Sequence, residues 1–130
     1  MPLLLPQGDE DQYFVVGLRG GKPGAPLAAG STVAVVSADP ATILITPDAT
    51  AQPTKGVTGV PDGTATLASG LVADAGSANV NVPINVTATE TKADGTTGLT
   101  VTDTVTIVPG LADAIGELFG GTPIVIPPKV

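Results

Sequence analysis

Residues 79–90 read NVNVPINVTATE. Asn79, Asn81, Asn85, Thr87 and Thr89 share one parity, and Val80, Val82, Ile84, Val86 and Ala88 the other. That is the period of a strand with one wet face and one dry face. Pro83 stands inside the pattern, and a proline has no N–H to give to a β-ladder. The alternation keeps its parity through Pro83. It therefore predicts no inserted bulge residue, and places the first half of a strand from Val80 to Thr91 at the edge of a sheet.

Similar segments flank this strand. After it, KADGTTG (92–98) closes a hairpin, with Asp94-Gly95 as its left-handed turn residues. Leu99–Val108 returns with Val101, Val105 and Ile107 on the inner parity and Asp103 as a polar exception that needs a partner. Before it, strands are expected over Tyr13–Leu18, Thr32–Ser37, Thr42–Thr46 and Thr64–Val72, where Gly70 marks a bulge or bend. ADPA (38–41) is a turn, with Asp39 capping and Pro40 fixing φ. The Gly/Pro-rich RGGKPGAPLAAG (19–30) is a connection, and the long loop 47–63 holds one short strand around Val57–Val60.

After Val108 the period changes. Leu111, Ile115, Leu118 and Phe119 are spaced as one face of a short helix over 111–119, stopped by Gly120-Gly121 and weakened by Gly116. The chain then ends in TPIVIPPKV (122–130). Many short strands separated by turn chemistry, with one late helix, predict an all-β fold: a β-sandwich with extended apolar termini. No repeat with the period of an array is present.

The 130-residue length fits one domain, and aromatics are only 2%, so Val, Ile, Leu and Ala must fill the core. β-Branched side chains pack well on pleated surfaces, which favours two facing sheets. A formal charge of −7 lacks the footprint of a protein that binds nucleic acid or anionic membranes. No apolar run approaches the roughly 18 residues needed for a membrane-spanning helix. The start, MPLLLPQGDEDQ, fails the signal-peptide pattern, and a cytoplasmically made product is expected.

The chain contains neither His nor Cys, which removes the commonest general bases, thiol nucleophiles and transition-metal ligands. Glu10, Glu90 and Glu117 have no spacing that pairs them. GLRGGKPG (17–24) departs from phosphate-loop spacing, with Pro23 where Mg²⁺ binding needs a hydroxyl. Asp39, Asp48, Asp62, Asp74 and Asp94 lie in loops where calcium ligands could converge, but no D-x-D-x-D-G run occurs, and Asp is a common turn residue. Asn85-Val86-Thr87 fits the N-glycosylation triplet on the polar parity, and with no signal-peptide pattern it is expected to be a plain surface stretch. No enzyme activity, catalytic residue, cofactor or metal is expected.

Three stretches, LAAGSTVAVVSADPATILITPDA (27–49), GVTGVPDGTATLASG (56–70) and TVTDTVTIV (100–108), together resemble bacterial immunoglobulin-like modules. Such modules occur in surface proteins and in structural proteins of tailed bacteriophages. The resemblance runs from Gly30 to Val108 and departs from the family in lacking the core Trp of many members. It implies an immunoglobulin-like sandwich of about seven strands and a non-catalytic role in display, adhesion or assembly, and it carries over no site residue.

The expected organisation is an N-terminal arm over 1–11, a sandwich over 12–108, and a helix with an extended arm over 109–130. PLLLP and TPIVIPP are apolar where chain ends are usually polar, and they need cover, either by folding back onto the sandwich edges or by docking on a neighbouring subunit or larger assembly. Leu3, Leu4, Leu5, Ile124, Val125 and Ile126 are the candidate partner-binding residues, by strand addition to sheet edges. These features point to a virion protein, a capsid decoration or cement protein of a tailed phage. Its partners would be further copies of itself, the major capsid protein or another virion protein, with no nucleic acid and no membrane insertion. The alternative is an adhesion module at a bacterial cell surface.

Overall fold

The computed structural model describes residues 2–48, 54–76 and 79–111, together with the backbone of 115–117 and 124–126. Every regular element in these residues is a strand. In chain order they are Leu3–Pro6 (β1), Glu10–Val15 (β2), Leu18–Arg19 (β3), Lys22–Pro23 (β4), Thr32–Ser37 (β5) and Ile43–Asp48 (β6). Ala68–Asp74 (β7), Pro83–Thr91 (β8), Thr97–Val108 (β9), Ile115–Glu117 (β10) and Ile124–Ile126 (β11) follow. One sheet has the order β1-β9-β8-β5 and another β2-β7-β6, while β3-β4 and β10-β11 are separate pairs. All pairings are antiparallel except β1 with β9, where Leu3–Pro6 runs parallel to Val105–Val108.

The two larger sheets share one core. Leu5 of β1, Ile84 of β8, and Val105 and Ile107 of β9 meet Ile43 of β6 and Val72 of β7. Ile43 and Ile107 are completely buried, as an interior built without Trp requires of its β-branched residues.

Polar groups hold the passages between the sheets. From β1 to β2, the Gln7 N–H donates to the Val108 carbonyl and the Gly8 N–H to Asp74 Oδ2, both at 2.8 Å. From β5 to β6, Asp39 folds the turn: its carbonyl accepts the N–H groups of Thr42 and Ile43, and its carboxylate accepts the Ala41 N–H and the Thr42 hydroxyl. From β7 to β8, Asn79 Nδ2 donates to Thr42 Oγ1 at 3.1 Å.

β8 begins at Pro83, not Val80, because the chain bends at Asn81, whose φ is 64°. The Asn81 N–H donates to the Ile107 carbonyl at 2.7 Å. β8 lies between β9 and β5, but β5 stops at Ser37 opposite Val86. The Ala38 N–H bonds the Asn85 carbonyl, so the odd residues of β8 turn their backbone groups toward β5. The missing N–H of Pro83 falls on that side, beyond the end of β5, so the strand has an edge there.

Other expectations are corrected. The predicted helix over 111–119 is not formed at Ile115–Glu117, which is extended and antiparallel to Ile124–Ile126. Gly116 in a short segment is a poor helix former, and the apolar IVI run offers strand pairing instead. Within the segment 1–11, β1 is built into the first sheet, so this end folds back onto the sandwich edge, and β2 starts at Glu10. The strand expected over Tyr13–Leu18 runs from Glu10 to Val15, and RGGK folds as a hairpin turn between β3 and β4, with Gly20 and Gly21 at φ of 58° and 77°. Val57–Val60 is turn, not strand. Gly70 carries no bulge: it pairs regularly with Tyr13 and Pro47, and a Cβ there would meet the Thr46 carbonyl and the Tyr13 ring.

Replacing Ile107 by Ala should destabilise the fold by about 2–5 kcal/mol, because a completely buried side chain leaves a cavity. Leu4→Ala, on the outer face of β1, should stay within about 0.5 kcal/mol. Equilibrium denaturation of the two variants checks the contrast.

Candidate interaction surface

The inner parity of β9 continues past the core to Asp103, Val101 and Leu99, but the cover over it does not. β1 is four residues long and pairs only with Val105–Val108. Along Thr97–Thr104 no described strand lies on that side of β9. β2 is likewise an open edge of its own sheet. Between the two edges is a cleft of about 470 Å³, lined by Val15, Val16 and Leu18 on one side and by Val101, Asp103 and Val105 on the other. A hollow of about 240 Å³ adjoins it, bounded by Leu27, Leu67 and Leu99.

The mouth of the cleft is apolar and open to solvent. Leu99 is 71% exposed, Leu18 63% and Val101 59%, although the parity of β9 points Leu99 and Val101 inward. Contiguous apolar surface of this kind marks sites where other molecules bind. Parity alone made Val101 a core residue; in the fold β1 stops short of it and it borders the open cleft.

Glu90 shapes the inner end of the hollow. The β8–β9 register shifts between Thr89 and Thr91, which takes the Leu99 N–H out of the ladder. Glu90 Oε1 accepts that N–H at 2.9 Å. A Cβ at Gly98 would collide with the Glu90 carboxylate, so the glycine makes room for it. The Leu99 hydrogen bond holds the Glu90 carboxyl below its usual pKa. Deeper between the sheets, burial raises the Tyr13 phenol, and the charge of Asp48 adds to the shift.

Aspartates cap parts of both open edges. Asp11 Oδ1 accepts the Gln12 N–H at 2.8 Å on β2, and Asp103 Oδ1 accepts the Thr104 N–H at 2.9 Å on β9. The Asp103 polar exception thus meets the backbone beside it. The Val108 carbonyl faces the β1 side, where it accepts the Gln7 N–H. By the same alternation Thr100 and Thr102 turn their backbone N–H and C=O groups to that side, where no described strand meets them.

The loop aspartates considered for calcium serve turns. Asp62 accepts the Gly56 N–H, Asp74 those of Gly8 and Gly76, and Asp94 both the N–H and the hydroxyl of Thr96. Among the described residues no three His, Cys, Asp or Glu side chains are grouped as metal ligands.

The candidate binding residues separate. Leu5 is in the core and Leu3 packs against it, so the chain's own fold uses both, while Leu4 is 65% exposed on the outer face opposite Thr106. Ile124, Val125 and Ile126 form β11, in register with Glu117, Gly116 and Ile115. The cleft residues Leu18, Leu99 and Val101 were not among the candidates. Their signal was a mismatch in length: a four-residue β1 cannot cover a twelve-residue β9.

No protein-family model, curated protein or solved structure matches the chain.

Because the folded pKa of Glu90 is lowered, its stabilising effect is complete above the ordinary carboxylate range and is lost as pH falls through the folded value. The difference in Tm between wild type and Glu90→Gln should therefore shrink as pH falls from 7 to about 3. Gly98→Ala should displace the carboxylate from the Leu99 N–H and remove the same acid-dependent component. Thermal melts across that pH range check both.

Proposed function

We propose that the chain is an immunoglobulin-like structural module that works by binding other protein chains, as an auxiliary decoration or cement protein on the capsid of a tailed bacteriophage. The observation that carries the fold half of this reading is the strand order. An immunoglobulin domain places B, E and D in one sheet and C, F and G in the other. β2-β7-β6 has the first order, and β5, β8 and β9 take the places of C, F and G, with β1 added beside G. The resemblance at Gly30–Val108 points the same way.

The binding half rests on the surface. The described residues carry an open apolar cleft flanked by two unpaired strand edges. The outer face of the β1-β9-β8-β5 sheet bears Thr87, Thr89, Thr100, Thr102 and Thr104 and no charged side chain along β8 and β9. An uncharged face can lie against a shell without a desolvation penalty for buried ions. A protein bound in many copies strengthens a shell through edge pairing and apolar burial, with no covalent chemistry.

In particles purified from the chain's source, mass spectrometry should find it in a fixed ratio to the shell protein, and the purified chain should rebind to shells stripped of it. Its absence from particles together with a failure to rebind overturns the capsid reading.

A further inference from the structure

We infer that the cleft between β2 and the free half of β9 accepts strand β11 from a second copy of this chain, so that copies join by strand addition. The inference deepens the binding role proposed above by naming donor and acceptor.

The acceptor lacks one strand. β9 runs on past the end of β1, with the backbone groups of Thr100 and Thr102 directed away from β8 and an apolar hollow beneath them. A strand laid there would pair with β9 and drop alternate side chains between Val15, Val16, Leu18 and Val101.

The donor lacks a sheet. β10 and β11 pair with each other as a two-stranded unit of three residues each, and an isolated pair of strands is marginal in water. In sequence β11 is Ile124-Val125-Ile126, with no charge, flanked by prolines that confine the pairing to a short segment. Ile124 and Ile126 share a parity and are the side chains for the cleft, which leaves Val125 on the outer face beside the threonines of β9.

Charge agrees with this pairing. Asp11 lines the acceptor, and Lys129 is the one charged side chain between Ile124 and Val130. The opposite signs favour this encounter.

The absence of cysteine makes the test clean. Full-length Thr102→Cys and Val125→Cys proteins are mixed under mild oxidation. The expected result is a disulfide-linked dimer containing one of each, in excess over that from Val125→Cys mixed with Thr32→Cys, a control on β5. Native mass spectrometry of the cysteine-free chain should show dimers or longer assemblies. Val101→Glu, at an exposed position in the cleft, should lower the association constant about tenfold or more by placing a charge in the apolar site. A chain that stays monomeric at high concentration and gives no excess cross-link overturns the inference. So does a cross-link that forms only within single molecules of the doubly substituted chain, because β11 then fills the cleft of its own chain. Neither outcome depends on whether the protein binds capsids, which the particle experiment reads separately.

Discussion

The Thr42 side chain is where the two sheets are tied. It is fully buried, donates to Asp39 Oδ2 at 2.7 Å and accepts from Asn79 at 3.1 Å. A buried hydroxyl without partners would cost as much as a lost core contact, so the site demands that both crossovers, β5 to β6 and β7 to β8, arrive at the same corner. The Thr42 carbonyl adds a bond from the Ala75 N–H on the second crossover. Ile43 follows directly in sequence and is held at the centre of the apolar cluster. The polar corner thus fixes the register in which Ile43, Ile107 and Leu5 meet.

From that corner the packing is graded along the strands. At the Ile107 end β1 lies beside β9 and the interior is closed. At the Leu99 end the same two sheets continue, but the interior is occupied by Glu90 and by open space. Glu90 is tolerated there because the bulge supplies it with a backbone donor and Gly98 leaves it room. One chain therefore contains both a dry core and an unfinished one, and the change between them falls where β1 starts.

Much of this was legible in the sequence where a single rule governed the outcome. Thr32–Ser37 has the predicted bounds, Asp39-Pro40 makes the predicted turn, and the parity of β8 and β9 is as read, because alternation and turn chemistry are local. Pro83 limited pairing as its missing N–H requires, although the bend at Asn81 that sets the strand start left no sequence mark. The helix expected at 111–119 gave way to strand at Ile115–Glu117, where a partner sixteen residues from the end of β9 decided the structure. The cleft was hidden for a related reason. Leu99 and Val101 carry a core pattern, and only the spatial extent of β1, a neighbour about a hundred residues away, decides that they are uncovered.

The parallel pairing of β1 with β9 has a mechanical consequence. The chain enters the sheet at Leu3 and leaves it at Val108, the opposite ends of one ladder. A pull on the two ends of the domain drags β1 and β9 past each other along their length. The ladder bonds then share the load together and do not open one by one like a zipper. The chain's first strand and its last long one form a clamp across the points where tension enters.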